Sequence, residues 1–184
     1  MILDPINSTL IVLNAQEQVV PRMHQYEDVL KRCVTLVKVA HRFGVSMVMT
    51  EQNMDGLGMT LSELTDVAKG QAQILDKANF SALKDGVFKA YVTDFLDPDE
   101  AQILLCGFEA HVCVTQTALD LKQAGYQVTV VADAVSSRME DSKDFALRRL
   151  EAQGVQLVTT EMVLYEWIGS TDSVAFKEFS ELIA

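Results

Sequence analysis

A cysteine that follows a buried strand and opens an apolar helix is a candidate nucleophile. Cys113 has that placement in the segment Gly107-Phe108-Glu109-Ala110-His111-Val112-Cys113-Val114. In a first helical turn, unpaired backbone N–H groups and the helix dipole favour a thiolate over a thiol. The same donors can stabilise a tetrahedral oxyanion after attack on a carbonyl. A buried, structural cysteine fits the local residues equally well. Lys77 follows a weak strand and precedes Ala78-Asn79-Phe80-Ser81. An ammonium beside Cys113 would favour the thiolate, and a solvent-exposed lysine is the plain alternative. His111 stands two residues from Cys113, and helical neighbours at that spacing do not face each other. It is therefore read as shaping a pocket or packing, not as half of a cysteine–histidine dyad.

The elements that must position these residues alternate along the chain. Residues 9–13 form a continuously apolar, buried strand that ends at Asn14-Ala15-Gln16-Glu17. Residues 26–43 form an amphipathic helix carrying Leu30, Val34, Val37 and His41 at three- or four-residue spacing, with Gly44 placed to stop it. Cys33 falls on this helix and reads as inert packing. A strand at 45–49 leads to Thr50-Glu51-Gln52, and the polar, glycine-containing stretch 53–69 suits an excursion over a pocket. A weak strand at 73–75 and a helix at 83–95, ended by Asp97-Pro98, complete the first half. The second half reads as strand 101–106, helix 113–124 stopped by Gly125, strand 127–131, helix 141–153 stopped by Gly154, and strand 155–158. Helical segments at 162–168 and 173–183 follow.

This strand–helix–glycine rhythm predicts an α/β fold: one doubly wound, mostly parallel sheet with helices on both faces, a single domain over residues 1–184. Such sheets bind ligands beyond the carboxyl ends of their strands, near a reversal in strand order. Asn14, Gln16, Glu51, Lys77 and the segment from Glu109 to Cys113 all belong there.

The composition narrows the partners. With 26 acidic and 15 basic residues, the net charge of −11 repels polyphosphate backbones, so no nucleic-acid partner is expected. The apolar runs are too short to cross a membrane, and no signal segment follows a basic leader. Three cysteines, Cys33, Cys106 and Cys113, without a disulfide spacing suggest a reducing, cytoplasmic setting. Three histidines, His24, His41 and His111, make no conventional zinc site, and no glycine-rich phosphate fingerprint follows the first strand. No metal or cofactor is expected.

Several ordered motifs add a resemblance. The segment from Gly107 to Val114 with Gln116-Thr117-Ala118, together with Lys77-Ala78-Asn79-Phe80-Ser81 and Ala132-Asp133-Ala134-Val135-Ser136-Ser137-Arg138, closely resembles the isochorismatase-like cysteine hydrolases. Thr50-Glu51-Gln52 with Gly56-Leu57-Gly58, and Thr159-Thr160-Glu161-Met162, are similar to the branch holding the animal isochorismatase-domain proteins. The match runs over residues 9–166. It implies a catalytic triad of aspartate, lysine and cysteine, of which Lys77 and Cys113 are present. It also implies a cis peptide between Phe108 and Glu109, and an oxyanion hole made by the backbone N–H groups of Glu109 and Cys113. Gln16, Glu51, Phe80 and His111 are expected around the pocket, Gln16 as a hydrogen bond that holds the loop after the first strand.

The aspartate position is Asn14, which cannot accept a proton as a carboxylate does. A missing general base forfeits a factor of roughly 10²–10⁴. Either Lys77 and the helix terminus keep Cys113 ionised without it, or Glu17, Glu51 or Glu109 supplies a carboxylate by another route. The aspartate–histidine–histidine metal site of the nicotinamidase branch has no matching histidine cluster here. The reading is a hydrolase of a small amide-like C–N substrate through an acyl-enzyme at Cys113. The alternative is a catalytically weakened homologue with a small-molecule-binding or scaffold role. The resemblance also implies a homo-oligomer. The apolar side formed by Phe176, Phe179, Leu182 and Ile183 is either an interface or a cap on the chain's own sheet.

Overall fold

Every residue of β1 (Ser8–Leu13) is buried, as a strand covered on both faces requires. The computed structural model describes residues 2–179; Leu182 and Ile183 lie outside them. α1 (Tyr26–Phe43) has the predicted bounds and ends where Gly44 takes a left-handed φ of 69°. β2 (Ser46–Gln52) follows. The stretch read as an excursion over a pocket contains α2 (Met54–Leu57) and α3 (Ser62–Ala68), and Asn53, Met54 and Asp55 at its start line a cavity beside Lys77. Leu64 and Ala68, one helical turn apart, bury themselves in the core shared with α1. Two fully buried residues in seven are too few to stand out from polar neighbours in sequence.

β3 (Ala72–Lys77) is an edge strand, exposed at Gln73, Ile74 and Asp76, which explains its weak apolar signal. A 3-10 turn at Ala82–Lys84 precedes α4 (Gly86–Phe95). Then come β4 (Gln102–Phe108), a π-helical turn at Ala110–Val114, α5 (Thr115–Gln123), β5 (Gln127–Ser136), α6 (Glu140–Ala152), β6 (Gln156–Val158), α7 (Thr160–Ile168) and α8 (Val174–Phe179). β5 runs five residues beyond its predicted end because a bulge shifts its pairing, from Leu105 opposite Val130 to Gly107 opposite Val135.

The six strands are parallel in the order β3-β2-β1-β4-β5-β6. Alternate side chains of each strand enter opposite cores. Leu10, Val12, Met47, Met49, Leu104 and Cys106 meet α1, α3, α7 and α8 on one face. Ile11, Leu13, Val48, Ile103 and Leu105 meet α4, α5 and α6 on the other. Phe179 is buried and Phe176 packs on the first of these cores, so the described part of the C-terminal apolar side covers the chain's own sheet. Strand order reverses between β1 and β4, which opens a crevice at their carboxyl ends. There Leu13 pairs with Gly107, whose φ is 105°, and a side chain on Gly107 would overlap the Leu13 carbonyl. Only glycine allows the two strands to stay this close while the chain turns toward Cys113.

Candidate active site

Four strand ends converge on the crevice. Asn14 follows β1 with a left-handed φ of 50°, a conformation that asparagine tolerates better than most side chains. Gln52 ends β2, and its register partner Lys77 ends β3. Cys113 lies beyond β4, inside the π-helical turn and not at the start of α5 as predicted. The Phe108–Glu109 peptide is cis. Asn14, Lys77 and Cys113 are each buried, at 3%, 4% and 6% exposure.

The Lys77 Nζ lies 3.5 Å from the Cys113 sulfur, 2.8 Å from Gln52 Oε1 and 3.0 Å from the Asn79 carbonyl, with the Phe80 carbonyl also at 3.5 Å. Gln52 Oε1 is a shared acceptor: it also receives Asn14 Nδ2 at 3.3 Å and the Cys113 thiol at 3.6 Å. Its own amide nitrogen is tied to the Ala78 carbonyl at 3.2 Å, which fixes which end faces the site. Gln16 is held the same way. Its Nε2 donates to the carbonyls of Gln52 (3.1 Å) and Gly58 (2.7 Å), and its Oε1 accepts from the Gln52 N–H (2.9 Å) and Asn14 Nδ2 (3.4 Å). Gln16 thus closes the loop after β1. Gln52 was missed. Its place at the carboxyl end of β2, beside Glu51, was the available signal.

Burial governs the charges. It lowers the basicity of Lys77 by more than the attractions of Cys113 and Asp85 restore. It also raises the Cys113 thiol above its ordinary range, against the pull of the Lys77 charge and hydrogen bond; the Glu109 carboxylate adds to the rise, while the Glu109 N–H works against it. The resting pair is therefore pushed toward neutral thiol and neutral amine, not toward the thiolate expected from a helix terminus and a lysine. The attractions follow from residue identity alone, whereas the desolvation arises only on burial.

The surrounding loops hold this turn in place. The loop after β5 grips it from one side: Ser137 Oγ accepts from the His111 N–H (3.4 Å) and lies 2.9 Å from His111 Nδ1, while Arg138 Nε donates to Glu109 at 2.8 Å. His111 faces Ser137 and a cavity of about 270 Å³. The Asp85 carboxylate accepts from the Ala78 and Asn79 N–H groups, both at 3.0 Å, and so shapes the turn that carries Lys77. Glu51 spends its charge on the Thr60 N–H at 2.6 Å. Glu17 is exposed, with its carboxylate packed over Gly58. None of the three alternative carboxylates hydrogen-bonds Cys113 through its side chain among the described residues. The Phe80 ring is 54% exposed at the rim, and only its carbonyl turns inward.

A cavity of about 370 Å³ opens beside Lys77, lined also by Asn53, Met54, Asp55, Asp76, Ala78 and Asp85. Among the described residues no three His, Cys, Asp or Glu side chains are grouped to hold a metal ion, and no helix is long and apolar enough to cross a membrane. Cys33 and Cys106 are buried away from the site, and Cys33 donates to the Ala134 carbonyl at 3.3 Å.

A family model, the isochorismatase domain, matches residues 8–162. Isochorismatase domain-containing protein 2 of Danio rerio is 36% identical over 177 residues, covering 96% of this chain and 87% of that protein. The secreted isochorismatase effector Isc1 of Phytophthora sojae is 34% identical over 181 residues, covering 97% and 85%. Among solved structures, MAR1 ribonuclease from Caenorhabditis elegans superimposes with a TM-score of 0.90 at 33% identity, covering 100% of this chain and 92% of that one.

Proposed function

The chain belongs to the isochorismatase family, on its cysteine-hydrolase branch, and from that membership we propose that it hydrolyses a small amide-like C–N substrate through an acyl-enzyme on Cys113. The observation that carries this reading is the 3.5 Å contact between Lys77 Nζ and the Cys113 sulfur on the floor of the crevice. The sulfur attacks the carbonyl carbon to form a C–S bond. The resulting oxyanion meets the backbone N–H groups of Glu109 and Cys113. The C–N bond breaks and the nitrogen leaves as an amine. Water then attacks the thioester, the C–S bond breaks, and the carboxylic acid departs.

The test is intact-protein mass spectrometry after mixing with a panel of small amides and esters. An acyl adduct that vanishes in Cys113→Ser, with acid product released on turnover, is the expected result. The reading fails if no adduct or product forms and Cys113 alkylates with an ordinary thiol profile near pH 8.5, unmoved by Lys77→Met.

A second reading rests on Asn14. With an amide where the family carries its general base, and with the nearby carboxylates spent elsewhere, the fold can serve as a weakened homologue that binds a small molecule. Binding of an amide without adduct or turnover would favour it. The ribonuclease designation belongs to the nematode protein. Here the net charge of −11 and the carboxylates Asp55, Asp76 and Asp85 beside Lys77 oppose a polyphosphate. Cys113-dependent cleavage of an oligoribonucleotide would overturn the small-molecule assignment. Two further expectations stand as proposals: a reducing cytoplasmic setting, which suits three free thiols, and a homo-oligomer, to be measured by sedimentation.

A further inference from the structure

The groups that hydrogen-bond the Cys113–Lys77 pair from outside it cannot take up a proton. Gln52 and Asn14 present amides, and Asn79 and Phe80 present carbonyls. The other titratable groups around the pair make no side-chain hydrogen bond to the sulfur among the described residues, and His111, in the same turn as Cys113, faces Ser137. Glu51 on β2 is spent on Thr60, Glu109 on Arg138, and Asp85 on the Ala78 and Asn79 N–H groups, while Asp55 and Asp76 line the open cavity beside Lys77. Among the described residues, Lys77 is the one titratable side chain that hydrogen-bonds the Cys113 sulfur.

We infer that Lys77 carries the proton through both half-reactions, and that Gln52 is the residue that positions it against Cys113. This rests on the acyl-enzyme reading above. In the first half, the Cys113 thiol proton passes to the neutral Lys77 amine as the C–S bond forms. The ammonium then returns that proton to the departing nitrogen as the C–N bond breaks. In the second half, a proton of the attacking water passes to Lys77 as the C–O bond forms, and the ammonium gives it to sulfur as the C–S bond breaks. Protons balance across the cycle, and no external carboxylate is needed. Burial supports the scheme, because it pushes the resting lysine toward the amine that must act as base. Gln52 acts only through its neighbours. Its one oxygen gathers Lys77, Asn14 and Cys113, and its amide nitrogen, anchored on Ala78, prevents it from turning round.

The experiment compares three reactions of the full chain at Cys113: alkylation by iodoacetamide, acylation by 4-nitrophenyl acetate, and acylation by 4-nitroacetanilide. The first two need only a thiolate, whereas the anilide nitrogen must be protonated to leave. Unmodified protein should give a sigmoidal pH profile with iodoacetamide and a bell with the anilide, since both the base and its conjugate acid are used. Lys77→Arg keeps a cation but cannot act as a base. It should lose the anilide reaction by roughly 10²–10⁴ while alkylation and the ester burst persist. Gln52→Leu should shift both limbs of the bell, and a lower bell with its limbs in place would remove Gln52 from the scheme. An anilide profile that tracks alkylation to a plateau, or an arginine variant that retains the anilide reaction, overturns the inference. Where the arginine variant does not fold, the two profiles of the unmodified chain decide. If neither acyl probe labels Cys113 in that chain, the acyl-enzyme reading itself falls.

Discussion

Replacing Asn14 by aspartate should destabilise the fold at neutral pH, although the two side chains are almost the same size. Asn14 Nδ2 faces two acceptor oxygens, on Gln16 at 3.4 Å and on Gln52 at 3.3 Å. Neither glutamine can rotate to offer its nitrogen without abandoning backbone carbonyls at 2.7–3.2 Å. Nor can Lys77 turn to a new carboxylate without leaving contacts to Gln52, Asn79 or Cys113. An ionised aspartate at this position therefore loses two long hydrogen bonds, worth about 0.5 kcal/mol each, and buries a charge where the native side chain is 3% exposed. A rise of about two pKa units, well within what burial produces, costs about 2.7 kcal/mol. The sum is about 3–4 kcal/mol, or a loss of roughly 6–15 °C in Tm for a chain of this size. The sign with pH follows from linkage. With a folded-state pKa above the unfolded value of about 3.9, the ionisation penalty is absent below that value and grows until the folded-state pKa is passed. Thermal unfolding of both proteins between pH 4 and 8 should show a gap that is small at pH 4 and widens toward neutrality. A variant as stable as the parent at pH 7, or a gap independent of pH, would show that the glutamines reorient freely and that the two acceptors facing Asn14 Nδ2 do not oppose a carboxylate.

Gly107→Ala should cost more than about 2 kcal/mol in urea unfolding, because alanine at a φ of 105° is strained and its methyl group would meet the Leu13 carbonyl. Asp85→Ala removes the acceptors of two solvent-exposed backbone N–H groups and should cost about 0.5–1.5 kcal/mol. In the parent, burial raises the Asp85 pKa, but the two N–H bonds and Lys77 hold the net below the ordinary carboxylate value. That stabilisation is complete above the unfolded pKa and is lost as pH falls through the folded one, so the difference between parent and Asp85→Ala should shrink in acid. Arg138→Ala should change stability by less than about 1 kcal/mol, since the arginine is 61% exposed. It leaves the Glu109 charge unpaired near Cys113, so iodoacetamide labelling of Cys113 at pH 7 should slow, and added salt should reduce the effect.

Local physics made much of this molecule legible from its residues. Apolar runs bounded by glycine marked the strands, and α1 carried a periodicity that its burial against the sheet requires. The turn that carries Cys113 and the segment of Lys77 stood out because their residues are concentrated in short ordered motifs. The two helices within 53–69 did not, because a few buried positions among polar neighbours leave no period to read.

What only the tertiary structure decided is how distant side chains meet. Strand register sets Gln52 opposite Lys77, and the backbone carbonyls of Gly58 and Ala78 decide which ends of Gln16 and Gln52 face Asn14. The fate of each carboxylate was equally hidden, since Glu51, Asp85 and Glu109 are spent on partners that packing brings near. The proton balance at Cys113 was hidden for the same reason. An attraction between lysine and cysteine can be read from their identities, but the desolvation that outweighs it exists only once both are buried.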